Sequence, residues 1–228
     1  MIARPKVWVT ELAGRFWAEV GAPPPFPRDL RAVLCWSQGL HVAEVPNLTL
    51  ATAAEHFARH GVPCPAPAEN RPLAGCFGGH LGVGVILFDP TLTPAEVRFT
   101  LAHEVAHFLR DYQAPRRKVE ARLGSRALEV LDGQRPPTVN ERFAGVLRGV
   151  AIGCHTHFLD RDRRGRALTD EAREAEEAAD RLAFELLAPF DAANPGASSD
   201  RAALVLRLTS DFGLPPAEAA KYAAVLVR

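Results

Sequence analysis

The stretch FTLAHEVAHFLRDY, residues 99–112, constrains this chain more than any other. Just before it, Thr93, Pro94 and Glu96 stand as N-cap, first helical position and third position of a capping box, which is a helix-start signature. Val97, Leu101, Val105, Phe108 and Leu109 then recur with a helical period, so one face of this helix must lie across a core. His103 and His107 fall in mid-helix on a shared face, about 40° apart, and both rings can direct a nitrogen to one ion. Glu104, rotated by roughly 100° from His103, is placed to take a proton from a water beside that ion instead of ligating it. Zinc would suit such a pair, because it lowers the pKa of its water and polarises a carbonyl.

A catalytic zinc centre of this kind wants a third protein ligand, and His₂Glu is a common set. Further along, TDEAREAEEAADRLAFELLAP predicts a long helix stopped by Pro189, on which Glu176 and Asp180 are four apart and share a face. Glu176 is the candidate third ligand, with Glu177 as the alternative. Asp180 is the candidate acceptor for the second ring nitrogen of His103 or His107. Two other histidine pairs serve as controls. His56 and His60 are also four apart on a predicted helix but have no glutamate between them, and Cys154 to His157 reads CHTH, whose histidines face opposite ways on a helix. Both are read as lacking a metal role.

Around these helices, Thr10–Val20 and Pro27–Gln38 are predicted helical, LHVAEV is a short strand, and TLATAAEHFARHG is an amphipathic helix closed by Gly61. LAGCFGGHLGVGVILF predicts two strands joined by a Gly-rich turn, with VGVILF as the edge strand beside the active helix. Helical runs are expected near Arg116–Leu131 and Asn140–Phe158, and two more helices, SSDRAALVLRLTSDFG and PPAEAAKYAAVLVR, close the chain. Together these give an α+β domain, mainly helical with a small sheet. It spans residues 1–228 as one unit: a helical part (1–72), strand and HExxH helix (73–111), a basic insert (112–168), and the third-ligand and C-terminal helices (169–228).

RFTLAHEVAHFLRDY followed by EEAADRLAFELLAP resembles the ImmA/IrrE-type metallopeptidases, and FPRDL, RPLAG, VGVILFDP and FGLPPAEAAKYA extend the resemblance over most of the chain. The resemblance implies a zincin-like, gluzincin fold with zinc on His103, His107 and Glu176, Glu104 as catalytic base and Asp180 supporting a histidine. It implies an endopeptidase that cuts a helix-turn-helix repressor in response to DNA damage, stress or phage attack, with single-stranded DNA as an activator. Family members often carry Asn at the position of Asp180, and the 112–168 segment is longer than the family pattern. Cys76 is a candidate fourth, inhibitory ligand, since a thiolate binds zinc well. Tyr112, His155, His157 or an arginine of the insert are candidates for stabilising an oxyanion.

The chain carries equal numbers of basic and acidic residues, which argues against bulk attraction to nucleic acid. Residues 110–166 nevertheless hold 13 Arg/Lys against 7 Asp/Glu. Within that span Arg116, Arg117, Lys118, Arg161, Arg163, Arg164 and Arg166 are the candidate phosphate contacts. A competing class is a DNA-binding regulator without catalysis, built on the helix-turn-helix-like LRLTSDFGLPPAEAAKYAAVL. Its second helix holds only Lys221 as an internal basic residue and is poorly equipped to read bases. With no apolar leader and no long apolar run, a cytoplasmic protein is expected. The four cysteines form no CxxC pair and are expected to be reduced thiols.

Overall fold

The computed structural model describes residues 4–34, 39–64, 70–147, 150, 152–156, 169–193 and 200–227. The fold is mixed α+β, mostly helical, with one three-stranded sheet. In chain order the elements are α1 (Val7–Val20), α2 (Leu30–Leu34), β1 (Leu40–Glu44), α3 (Leu50–Arg59), β2 (Gly75–His80), β3 (Val83–Phe88) and α4 (Pro94–His107). There follow α5 (Ala114–Leu123), α6 (Leu128–Leu131), α7 (Val139–Phe143), α8 (Asp170–Leu187), α9 (Phe190–Ala193), α10 (Arg201–Ser210) and α11 (Pro216–Leu226). Among the described residues no helix is long and apolar enough to cross a membrane.

The sheet runs β1-β3-β2, with β1 parallel and β2 antiparallel to β3. VGVILF is therefore the central strand, correcting its reading as the edge. Its composition has a direct cause: Val85 and Leu87 face a small core with Phe57 of α3, while Ile86 and Phe88 face the main core under α4. A strand buried on both faces keeps its apolar residues in a continuous run. β1 and β2 are the edges of the sheet, and the glycines of β2 are needed for closeness. A Cβ on Gly75 would stand 2.4 Å from Thr100 of α4, and one on Gly78 would stand 2.7 Å from the Phe57 ring.

α4 begins as expected, with Thr93 and Glu96 forming the reciprocal capping box. Its apolar stripe is buried throughout, and α8 packs along it in the same cluster. HEVAH does not sit in mid-helix but closes the α-helical stretch, which widens into a π-helix over Phe108–Gln113 before α5 continues. π-turns inside helices are frequent at functional sites. In the insert the first expected run is helical with a break at Gly124, and the described part of the second is less helical than its sequence predicts. Gly124, at a positive φ of 83°, stops α5, and only Val139–Phe143 of the second expected run is helical among the described residues. It keeps a small core of its own, Val119, Ala127 and Leu131, against which Leu147 and Val150 pack.

Candidate metal centre

Three ligand atoms converge where α4 crosses α8. His103 Nε2 lies 3.1 Å from His107 Nε2 and 3.2 Å from Glu176 Oε2, and His107 Nε2 lies 3.6 Å from Glu176 Oε1. Tetrahedral donors at ordinary Zn–N and Zn–O lengths stand about 3.3–3.4 Å apart, so this triangle has the right size without rearrangement. Among the described residues His103, His107 and Glu176 are the group that can hold a metal ion. The two helices hold them rigidly: His107 is fully buried, and the helix neighbours Leu101, Val105, Ala179 and Ala183 are all in the main core.

The remaining ring nitrogens fix the tautomers. His103 Nδ1 is 3.0 Å from Asp180 Oδ1, and His107 Nδ1 is 2.7 Å from Asp111 Oδ2. Each carboxylate accepts from the Nδ1 proton and leaves the Nε2 lone pair facing the centre. Two lone pairs and a carboxylate pointing at one another repel unless a proton or a cation lies between them. A proton can satisfy one edge of the triangle, whereas a divalent ion satisfies all three. The protonated alternative shows in His103: burial opposes its charge, but hydrogen bonds to Asp180 and Glu176 and the nearby Glu104 charge outweigh it, raising its pKa to about 10.

Glu104 is almost wholly buried and lines the same cleft as His103 and Glu176. Glu177, the alternative ligand, faces solvent between Arg173 and Arg181, which removes it from the centre. Asp180 also binds the amine of Lys221 from α11, and burial, which would raise its pKa, is outweighed by the hydrogen bonds to His103 and Lys221. Sequence reasoning misses Asp111 and Lys221. Asp111 lies four residues beyond His107, so the spacing that pairs the histidines could have found it. Lys221 carries no such signal, because its partner is 41 positions away.

Cys76 is placed otherwise than expected. Successive side chains alternate across a strand, and Cys76, paired with Leu87 of β3, points into the small core with Leu48, Leu50 and Phe57. It is fully buried, burial pushes its thiol well above the ordinary range, and it is not part of the ligand group. Tyr112 is likewise committed: its hydroxyl accepts the Gly82 N–H at 2.8 Å and so ties the β2–β3 turn to the π-helix. His155 is in an extended segment, not a helix, and exchanges both backbone hydrogen bonds with Gly79 on the outer edge of β2. His56 and His60 stack on α3 with ring centroids 4.3 Å apart, outside the ligand group.

Of the candidate phosphate contacts, Arg116 is held by Asp132 and Arg117 by Glu19, while Lys118 is exposed. Arg161, Arg163, Arg164 and Arg166, with His157, lie outside the described residues. The helix-turn-helix-like segment packs inward: Ala219, Tyr222, Ala223 and Leu226 of α11 belong to the main core. Comparison with protein-family profiles, with curated proteins and with solved structures finds no match to this chain.

Proposed function

We propose that the chain is a zinc-dependent endopeptidase of zincin type. The observation that carries this reading is the triangle of His103 Nε2, His107 Nε2 and Glu176, held in tautomer by Asp180 and Asp111, with Glu104 beside it on the same cleft. Histidine and carboxylate donors in a small tetrahedral-sized site suit zinc, which when bound supplies Lewis acidity toward a carbonyl and acidifies a water. His103, His107 and Glu176 would hold the ion. Glu104, buried in the cleft wall, accepts the proton of the attacking water and returns it to the leaving amine.

The edge of β2 supports the peptide part of the reading. Gly79 turns its N–H and C=O outward to His155, and the two-residue period sends those of Phe77 and Gly75 the same way. Gly75 lines the cleft beside Thr100 and Glu104. An extended peptide could add to the sheet there, along the cleft that His103, Glu104 and Glu176 line. The resemblance of RFTLAHEVAHFLRDY and EEAADRLAFELLAP to the ImmA/IrrE-type peptidases gives the substrate we propose, a helix-turn-helix repressor, and the activator, single-stranded DNA meeting the basic insert. The competing reading, a regulator without catalysis, is disfavoured by the burial of α11.

The test is incubation of purified protein with a repressor of the helix-turn-helix class, with and without single-stranded DNA, beside Glu104→Gln and with metal content measured. We expect about one zinc per chain, cleavage in the wild type and none in Glu104→Gln. Cleavage that survives in that variant, or a wild type and a His103→Ala protein equally free of metal, would overturn the reading.

A further inference from the structure

The metal centre opens into a cleft of about 420 Å³ whose walls carry more carboxylates than the centre uses. Most of them are engaged. Glu96 is tied into the α4 capping box, Glu176 faces the ligand triangle, and Asp180 is held by His103 and Lys221. Glu104 is the proposed base. Glu218 of α11 is the remaining carboxylate of the cleft wall, and its Oε2 is buried and makes no hydrogen bond. Its ion-pair partner among the described residues is Lys221, whose amine lies 4.0 Å away and is already bound to Asp180. A carboxylate short of donors is costly to keep, and the Glu218 side chain is still 28% exposed on the cleft, so a cationic group arriving there can supply the donor that it lacks.

The neighbouring surface narrows the class of ligand. Phe99 and Leu92 come from α4 and the turn before it, Pro215 and Ala217 from the start of α11, and together they give the cleft an apolar wall leading to Glu218. An aliphatic stem with a cationic tip matches that sequence of surfaces, because such side chains bury their methylenes and keep their heads on polar partners. We propose that Glu218 is a specificity-determining residue, and that the cleft takes a lysine or arginine side chain of the substrate with its stem along Phe99, Leu92 and Pro215. This rests on the peptidase reading above and adds the substrate class. It also gives α11 a part in recognition: Lys221 steadies Asp180 from one turn of the helix while Glu218, three residues earlier, reads the substrate.

The test needs no turnover. The Glu104→Gln protein is immobilised, with and without zinc, and challenged with a pool of random N-acetylated octapeptides whose retained members are quantified by mass spectrometry. Lysine and arginine should be enriched about tenfold over norleucine in the retained pool. Glu218→Gln should remove the enrichment and Glu218→Lys should turn it toward acidic residues, both with unchanged metal content, which shows that the fold and centre are intact. Peptides retained without a basic preference, or a preference that survives Glu218→Gln, would overturn the subsite alone. Enrichment confined to a parallel pool with free amino termini would also overturn it, since the recognised cation would then be the α-amine. Retention of no peptide at all would overturn the peptidase reading together with the subsite.

Discussion

At the scale of single residues, the centre depends on which atoms are free to face it. His107 reaches the triangle through Nε2 only because Asp111 accepts from its Nδ1 at 2.7 Å. Asparagine in place of Asp111 keeps the shape but presents a neutral acceptor or, flipped, a donor, so the imidazole loses basicity and tautomeric control. Asp111→Asn should weaken zinc binding about 10- to 100-fold, measured by competition with a chromophoric chelator, with little change in the melting temperature. Glu176→Gln should lose the ion, whereas Glu177→Gln, altering a side chain paired with Arg173 and Arg181 in solvent, should keep it. Equal metal content in the two glutamine variants would show that Glu176 is not a ligand. The assignment of Glu176 is legible from its spacing to Asp180. That of Asp111 is equally present in the sequence, four residues past His107, but a helix expected to be uniform gives no reason to look past the motif.

At the scale of elements, α4 is positioned by a sheet with almost no room between them. Gly84 of β3 is hemmed in from three sides: a Cβ there would meet Leu40 and Phe108 at 2.8 Å and Phe77 at 2.9 Å, all of them side chains locked in the main core. Those atoms cannot yield without moving β1, β2 and the end of α4 together. Gly84→Ala should therefore destabilise the fold by about 1–3 kcal/mol, read from urea denaturation. Gly14 on α1 is the contrasting case, with nothing within 4 Å of its would-be Cβ. There the methyl only restricts the unfolded chain and improves helix propensity, and Gly14→Ala should stabilise by about 0.5–1 kcal/mol. Strands and helices of the core are visible in the sequence because burial imposes a period. The order of the strands is not: VGVILF is apolar because two layers cover it, and a run without alternation does not say which neighbour lies on which side. Among the described residues the second run of the insert reads as more helical than it is because its composition favours helices locally, while the pairing of His155 on β2 decides otherwise.

At the scale of the whole molecule, the C-terminal pair of helices is either an appendage or a wall. A detachable DNA-reading unit would present a polar second helix to solvent. Here Leu204, Leu208, Phe212, Leu214, Tyr222 and Leu226 are each no more than 6% exposed and belong to the cluster that contains α4 and α8. Fully burying a side chain of this size is worth about 1.5–3 kcal/mol before the entropy of ordering it, so losing six of them removes burial energy of the same order as the roughly 5–15 kcal/mol by which a whole domain is stable. The Tyr222 ring stacks on Phe184 of α8 at 4.5 Å, and Lys221 holds Asp180, so removing α11 would disturb the support of His103 as well as the core. A chain truncated before Asp200 should therefore fail to fold as a compact, zinc-binding domain, with collapsed near-ultraviolet dichroism and protease sensitivity throughout. If the truncated chain instead melts cooperatively and retains its metal, the C-terminal helices are separable and the regulator reading regains its structural basis. A folded core would then also leave the cleft without the wall that carries Glu218, so the basic-peptide preference would vanish while the metal remained.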